Sequence, residues 1–335
     1  MTMKIGLVGC GSVADYGHLP AIGEVEEVEL IALADLNERQ LKEQASKYDV
    51  KHTFTDYRNL LEMKELEAVV VTTPANTHHR IVLDALDAGK HVLCEKPISD
   101  EPDKGWEMVK AAKATGKILA VCFEYRLWGP FKDIKVWLDK NLIGPIHVLR
   151  LIYNWNGPNG EGQRRKLHMT VEGGPIYDCG VHYFDLGRWY LNSEYKQINA
   201  IGVHVEGYEN PDHVIVTVEF ENGTIGLIEE SYIYTTRSKD WHKFTQVDVI
   251  GTNGAMCYLS THGSPGVGEL RVHSPEETIV TNYEAGEKPF AALHRAFAES
   301  VKRGKIVDIA SGEDGVKAIE AAGKALNLAR REKSM

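Results

Sequence analysis

Asp178 and His182 lie four positions apart in the sequence, a spacing that brings two side chains to one face of a helix. A carboxylate and an imidazole in that arrangement can share a ligand, and the imidazole can accept a proton near neutral pH. Asp185, three positions after His182, can orient the ring. On spacing alone, a surface Asp–His pair that only stabilises the helix is the favoured interpretation.

Lys96 is a second candidate for chemistry, in the segment Cys94-Glu95-Lys96-Pro97 that closes a short apolar run. A lysine at a strand end beside a cofactor can hold a substrate hydroxyl and stabilise the oxyanion that becomes a carbonyl. Burial would lower its pKa toward a useful range. Pro97 bends the chain after Lys96 and can take a cis bond. Without a nucleotide-binding context, a solvated surface lysine is the ordinary interpretation.

That context is a glycine turn near the start of the sequence, Gly9-Cys10-Gly11-Ser12-Val13-Ala14, between an apolar run and a helix-like stretch. The glycines allow a tight turn close to a pyrophosphate, and a small residue at the sixth position lets the helix pack on the strand. The helix start offers free N–H groups and a positive dipole end to phosphates. The pattern predicts a dinucleotide-binding turn.

Asp35 closes the next long apolar run, twenty-six positions after Gly9. A carboxylate at the end of the second strand holds the adenosine ribose diol and repels a 2′-phosphate, which favours NAD over NADP. Two alternatives stay open. Asp35 can cap a helix that begins near Asn37, and Arg39, one turn along, can meet the 2′-phosphate of NADP.

A third polar segment, Thr72-Thr73-Pro74-Ala75-Asn76-Thr77-His78, follows the run Ala68–Val71. In open α/β sheets, ligands bind just past the carboxyl ends of the strands. These polar groups can therefore contact the pyrophosphate and the nicotinamide ribose. The alternative is that Asn76 or Thr77 only caps the helix that starts near His78.

The pattern of apolar residues divides the chain into two parts. Residues 1–122 alternate short apolar runs with amphipathic stretches, which predicts an α/β Rossmann domain, a doubly wound parallel sheet that binds NAD(P). Residues 123–335 carry long alternating runs joined by Gly, Asn and Pro turns, which predicts an α+β domain with a large, mostly antiparallel open sheet for substrate binding and oligomerisation. Helices at Pro175–Leu191, Pro289–Arg303 and Ser311–Lys333 can cover one face, and a second subunit the other. The C-terminal helices can also pack back on the first domain.

Composition excludes several classes of function. The 335 residues carry a formal charge of −10, which argues against a nucleic-acid surface or an anionic membrane. No apolar run is long enough to span a membrane, and a strand starting at Lys4 leaves no room for a signal peptide, so we expect a cytoplasmic protein. The five scattered cysteines show no C-x-x-C spacing, and His78-His79 lacks the spacing of a helical ligand pair. We therefore expect no disulfide and no metal.

Four segments together resemble the Gfo/Idh/MocA family of oxidoreductases. They are the glycine turn at Gly9–Ala14, T-P-x-N-x-H at Thr73–His78, E-K-P at Glu95–Pro97 and G-G-x-x-x-D-x-G-x-H-x-x-D at Gly173–Asp185. They occur in the family's order, and the resemblance covers essentially the whole chain. It implies a Rossmann domain, then an α/β domain whose open sheet builds homodimers or homotetramers. It also implies a sugar, inositol or related polyol as substrate, oxidised or reduced by NAD(H) or NADP(H).

The resemblance also implies roles for particular residues. Lys96, Asp178 and His182 match the family's catalytic trio, and Arg126 matches an arginine near the cofactor and the substrate. The residues predicted to contact the cofactor are Gly9, Cys10, Gly11, Ser12, Val13, Ala14, Asp35, Leu36, Arg39, Thr73, Pro74, Asn76, His78, Glu95, Lys96 and Arg126. Those predicted to contact the substrate are Lys96, Arg126, Trp155, Lys166, Glu172, Asp178 and His182.

Two departures from the family pattern stand out. Glu172 occupies a position where a third glycine is common, so it narrows the pocket or adds a carboxylate that binds hydroxyl groups. The segment from Tyr153 to His168 is rich in Trp, Asn and basic residues, and aromatic faces and amides such as those near Trp155 suit a sugar ring. Arg164-Arg165-Lys166 can meet a phosphate or a carboxylate, although a solvated charge run is the favoured interpretation of that triplet.

The combined hypothesis is an NAD-dependent dehydrogenase for CH–OH groups. His182 removes the hydroxyl proton as the hydride leaves, Lys96 stabilises the oxygen, and Asp178 binds a neighbouring hydroxyl or tunes the other two. Alternatively, Lys96 is the acid/base. Two rival functions stay open: a glycosidase that oxidises a sugar transiently at C3 with bound NAD, and a non-catalytic sensor of NAD or sugar.

Overall fold

The structure is a computed structural model that describes residues 2–157, 163–234, 239, 243–260, 267–284 and 286–330. The chain divides into two units. The first comprises Met1–Leu127 and Lys288–Lys317, and the second comprises Trp128–Glu287 and Ala318–Met335. The domain boundary that the sequence suggests, between residues 122 and 123, stays a prediction.

The first unit is built on a seven-stranded sheet in the order β15-β6-β5-β4-β1-β2-β3. All neighbours pair in parallel except β15, which runs antiparallel to β6. This is the doubly wound order of a dinucleotide-binding fold, as predicted. Numbered along the chain, its strands are β1 (Met3–Val8), β2 (Val28–Ala34), β3 (His52–Phe54), β4 (Ala68–Val71), β5 (His91–Cys94), β6 (Leu119–Val121) and β15 (Ala310–Ser311).

The helices of this unit follow its strands. They are α1 (Leu19–Ile22), α2 (Glu38–Lys47), α3 (Tyr57–Leu61), α4 (Ala75–Asp87), α5 (Pro102–Thr115) and α10 (Phe290–Arg303), with a π-helical turn at Ala14–His18 and a 3-10 turn at Glu124–Leu127. Two capping alternatives are wrong. The cap of α2 is Asn37, whose side chain accepts the Gln40 N–H, not Asp35. Helix α4 starts after Pro74, so Asn76 and Thr77 lie inside it.

The second unit contains an eight-stranded sheet in the order β14-β13-β12-β11-β7-β10-β9-β8. Only β7 and β10 pair in parallel, and the other neighbours are antiparallel, so the predicted mixed α+β class is confirmed. The strands are β7 (Ile146–Asn154), β8 (Tyr195–Val203), β9 (His213–Phe220), β10 (Ile225–Ser231), β11 (Phe244–Gly251), β12 (Gly254–Ser260), β13 (Gly268–His273) and β14 (Thr278–Tyr283).

The remaining helices are α6 (Gly129–Asp139), α7 (Gln163–Thr170), α8 (Pro175–Asp178), α9 (Gly180–Leu191) and α11 (Gly312–Ala329). The helix predicted over Pro175–Leu191 is broken at Cys179 into α8 and α9. The end predicted for the last helix, Lys333, lies outside the described residues. Within the described part of the chain, no helix combines the length and the apolar character needed to cross a bilayer.

The large sheet has one covered and one uncovered face. Helices α8 and α9 pack against β7, β9 and β10, and alternate side chains such as Val216 and Ile228 are buried on that side. On the other face the intervening side chains Ile215 and Ile225 are 38% and 62% exposed. This alternation is what a sheet covered on one side by helices produces.

Candidate active site

The glycine turn joins β1 to the π-helical turn, close to the end of β4. Gly9 has a φ of +100°, in the region that favours glycine. A Cβ at Gly9 would lie 2.8 Å from the Thr73 backbone nitrogen, so a larger residue would collide with the neighbouring loop. A Cβ at Gly11 would have no neighbour within 4 Å. The turn is therefore tight at its first glycine and open at its second, as the approach of a pyrophosphate requires.

Asp35 is held beside this turn. Its Oδ2 accepts the Cys10 N–H at 2.6 Å, and its Oδ1 accepts the Asn37 N–H at 2.7 Å. Each carboxylate oxygen has a further lone pair, so Asp35 can also accept the hydroxyl groups of an adenosine ribose. The residues present thus fit NAD. Arg39, the residue that could bind the 2′-phosphate of NADP, donates to Glu43 at 2.9 Å on the surface. Leu36, which was also predicted to contact the cofactor, is 90% exposed.

His78 ties together the loops that follow β4 and β5. Its Nε2 lies 2.7 Å from the Thr73 carbonyl oxygen, and its Nδ1 lies 3.0 Å from the Pro97 carbonyl oxygen. The ring is buried, and burial lowers the pKa of His78. His78, one of the residues predicted to contact the cofactor, therefore hydrogen-bonds to a backbone carbonyl group of each loop. Two others, Pro74 and Asn76, are exposed at the surface.

Lys96 sits on a buried hydrogen-bonded network. Its backbone N–H donates to Glu95 Oε2 at 3.1 Å, and Glu95 Oε1 lies 2.8 Å from His18 Nε2. His18 Nδ1 in turn lies 3.1 Å from His294 Nε2. Both histidines are fully buried, and burial, then the neighbouring His18, lowers the pKa of His294. The network fixes the peptide that carries Lys96, and the Lys96–Pro97 bond is cis.

His18, which contacts Glu95, is the last residue of the π-helical turn. A π-helical turn in an α-helix often marks a functional position, and here Gly17 packs so closely on Phe290 that a Cβ would lie 2.6 Å from its ring.

Ligand atoms of His18, Glu95 and Cys122 lie within 4.8 Å of one another. Hydrogen bonding already links His18 to Glu95. The expectation that the chain binds no metal stays a prediction.

Arg126 is buried in the 3-10 turn after β6, and its guanidinium lies 3.5 Å from Asp314. The neighbouring Glu124 accepts the Lys288 ammonium at 2.7 Å. That carboxylate raises the pKa of Lys288 against the opposing effect of burial. The family resemblance pointed to Arg126, but the sequence gave no signal for Lys288, which follows more than 160 residues later in the chain.

In the second unit, the glycine pair leads directly to Asp178 and His182, two members of the predicted catalytic trio. Gly173 and Gly174 have φ values of +84° and +66°, and Pro175 opens α8. Asp178 ends α8 and is half-buried, whereas His182 lies in the first turn of α9 and is 2% exposed. Asp178 and His182 therefore belong to successive short helices instead of one continuous helix.

Tyr232 is a partner of Asp178 that the sequence analysis missed. Its phenol donates to Asp178 Oδ2 at 2.6 Å, and its side chain is fully buried. The two residues are 54 positions apart, and Tyr232 follows β10 while Asp178 ends a helix. No local spacing in the sequence connects them, so only the tertiary fold reveals the contact.

The other predicted substrate residues differ in exposure. Glu172 is exposed and lies 2.8 Å from His168 Nδ1, and Lys166 is exposed. Trp155 is half-buried and meets the Tyr232 ring edge-on at 5.5 Å. For Arg165 the interpretation as a solvated charge is wrong, because its side chain is buried and paired with Glu206. The side chain of Arg164 lies outside the described residues.

Comparison with protein families gives two matches. Residues 3–123 match the oxidoreductase family with an NAD-binding Rossmann fold, and residues 131–257 match the C-terminal domain of the same family. The chain belongs to the Gfo/Idh/MocA family of oxidoreductases. The family, the enzyme class and NAD as the cofactor, all expected from the sequence, are thereby confirmed.

Similar proteins match over almost the full length. The chain is 27% identical to the myo-inositol 2-dehydrogenase of Thermotoga maritima, over 95% of this chain and 93% of that protein. It is 27% identical to the D-glucoside 3-dehydrogenase of Escherichia coli, over 93% and 91% of the two chains. The crystal structure of a probable dehydrogenase from Thermotoga maritima superposes with a TM-score of 0.82 at 25% identity, covering 97% of this chain and 96% of that one.

Proposed function

We propose that this member of the Gfo/Idh/MocA family is a dehydrogenase that transfers a hydride between NAD and a secondary hydroxyl group, or the matching ketone, of a sugar, an inositol or a related polyol. The observation that carries the proposal is the position of Lys96 at the carboxyl end of β5, in a sheet whose β1 end carries the cofactor turn. Ligands of such sheets bind at that edge. Similar full-length proteins that act on inositol and glucosides support this substrate class.

The proposed roles follow from the chemistry of each group. NAD, when bound, supplies the acceptor for the hydride. His182 accepts the proton of the substrate hydroxyl as the C–H bond breaks, and the electrons of the O–H bond form the carbonyl π-bond. Lys96 donates a hydrogen bond to the same oxygen and stabilises its developing negative charge. Asp178 accepts a hydrogen bond from a neighbouring hydroxyl group.

Substitution of the two candidate acid/base residues tests these roles. A positioned proton-transfer group accelerates a reaction by about 10²- to 10⁴-fold, so we expect His182→Ala to lower kcat by at least about 10²-fold at neutral pH. If Lys96 is the acid/base instead, Lys96→Ala is the more damaging change. Steady-state rates with the best polyol of a substrate panel measure both.

The matched controls are the exposed residues Lys110 and His147. Lys110→Ala and His147→Ala remove the same side-chain types at exposed positions outside the candidate segments, and we expect near-normal kcat for each. Near-normal rates in both Lys96→Ala and His182→Ala would remove the pair from the acid/base role.

We further propose that the chain works in the cytoplasm as a homodimer or homotetramer formed through the uncovered face of the large sheet. Apolar side chains exposed on this face of β8, β9 and β10 support this, because exposed apolar surface is typical of interfaces. They are Ile201, Val203, Ile215 and Ile225, exposed to 74%, 44%, 38% and 62%.

A further inference from the structure

The hydrogen bond between Tyr232 and Asp178 joins the end of β10 to the end of α8. We propose that Tyr232 is a positioning residue of the dehydrogenase, whose phenol holds the Asp178 carboxylate ionised and in one orientation. The inference rests on the proposed role of Asp178 and extends it to a residue outside the four sequence motifs that carry the family resemblance.

The backbone of Tyr232 is fixed independently of Asp178. Its N–H donates to the Asp212 carbonyl oxygen at 2.8 Å, and its own carbonyl oxygen accepts from Arg165 Nη2 at 3.2 Å. Asp212 is itself anchored, since its carboxylate accepts the N–H groups of Val205 and Glu206 at 3.1 and 2.7 Å. The phenol therefore projects from a backbone that is hydrogen-bonded on both sides.

The ring of Tyr232 is also confined. The guanidinium of Arg165 lies 5.8 Å from the ring centroid, and the Trp155 ring meets it edge-on at 5.5 Å. Arg165 cannot easily move, because its Nε and Nη2 bind the Glu206 carboxylate at 2.8 and 2.7 Å. Bidentate pairs of this kind restrict the guanidinium geometrically. With backbone and ring both held, the phenol oxygen presents its proton to Asp178 in one direction.

The length of the contact indicates a charge-assisted bond. At 2.6 Å it lies within the range for a hydroxyl that donates to a carboxylate. Burial raises the pKa of Tyr232, so the phenol stays protonated and a donor at neutral pH. A donor that binds the charged form of a carboxyl group favours that form. Because one carboxylate oxygen is held, the direction of the second oxygen is fixed as well.

Other titratable groups surround this contact. Glu230 is fully buried and packs against Gly180 at the start of α9, where a Cβ would lie 3.4 Å from its Cγ. Cys179 Sγ lies 3.8 Å from Asp178 Oδ2, and the Tyr153 phenol, whose pKa is raised by burial, interacts with Cys179, Glu230 and Asp178. The Tyr232 phenol interacts with Asp178, Cys179 and Glu230, so Tyr232 lies among these groups.

Tyr232→Phe removes the donor and keeps the ring. We expect kcat/KM to fall by about 10-fold or more, the effect of losing one hydrogen bond to a charged group. We also expect the acid limb of the pH profile to move to higher pH, because ionised Asp178 loses its donor. Tyr190→Phe is the matched control: Tyr190 is buried, and its phenol donates to the Phe131 carbonyl oxygen at 3.0 Å.

A second measurement does not depend on activity. The ¹³C resonance of the Asp178 carboxyl carbon, assigned by its loss in Asp178→Asn, reports ionisation directly, and we expect its titration to shift to higher pH in Tyr232→Phe but not in Tyr190→Phe. An unchanged titration, or equal losses of activity in the two variants, would overturn the positioning role. Absence of dehydrogenase activity in the unaltered protein would instead count against the proposed function, while the carboxyl titration still decides this inference.

Discussion

At the scale of single residues, Asp35 shows how backbone groups prepare a side chain for a cofactor. The Cys10 and Asn37 N–H groups each donate to one oxygen of its carboxylate, so the side chain is oriented beside the glycine turn. A fixed negative charge at this position accepts the ribose hydroxyl groups of NAD and repels the 2′-phosphate of NADP.

Removing that charge should change the cofactor preference. We expect Asp35→Ala to raise the ratio of kcat/KM with NADP to kcat/KM with NAD by about 10-fold, equivalent to about 1.4 kcal/mol. Asp35→Asn, which keeps an acceptor for the Cys10 N–H, separates the effect of charge from that of structure. Glu38→Ala, an exposed acidic residue in the first turn of α2, is the control. An unchanged ratio in Asp35→Ala would mean that the ribose is held elsewhere.

At the scale of elements, the sequence predicted best what depends on local pattern. Strands such as β4, whose residues are all fully buried, read as apolar runs because a parallel sheet is covered on both faces. The strand-end position of Lys96 followed from the same topology. The edge strand β14 and the short helix α7 were not predicted, because β14 is only partly buried and α7 has little apolar periodicity.

Features that depend on distant contacts escaped prediction for a different reason. In the π-helical turn, Gly17 packs against Phe290, more than 270 positions later in the chain, and the His18–Glu95 contact joins residues 77 positions apart. The break at Cys179 divides a stretch that is apolar on several sides, so periodicity alone could not locate it. Buried networks of this kind become visible only when the fold brings their members together.

The uncovered sheet face carries a prediction at this scale. If subunits associate through it, a charge introduced on this face should separate them, because burying an unpaired carboxylate is costly. We expect Ile225→Asp to lower the mass measured by light scattering toward that of one 37.4 kDa chain. Val136→Asp, at an apolar residue of α6 that is 40% exposed, is the control. A multimer that persists in Ile225→Asp would place the interface elsewhere.

At the scale of the whole molecule, one fold is compatible with three functions: a dehydrogenase, a glycosidase and a non-catalytic sensor. Members of one fold family can host different chemistry, so the fold alone does not choose among them. The presence of Lys96, Asp178 and His182 together favours an enzyme, because a pure binding module has no need of a base. A dehydrogenase and a glycosidase with transient C3 oxidation both need that set, and they differ in whether reduced cofactor accumulates.

The most direct test of the central claim is absorbance at 340 nm, measured with purified protein, NAD or NADP, and a panel of inositols, aldoses, sugar acids and aryl glycosides. The account predicts that NADH accumulates with at least one polyol and that the rate falls in His182→Ala or Lys96→Ala. Release of the aryl group without accumulation of NADH would contradict it in favour of a glycosidase. Bound NAD without turnover of any compound would contradict it in favour of a sensor.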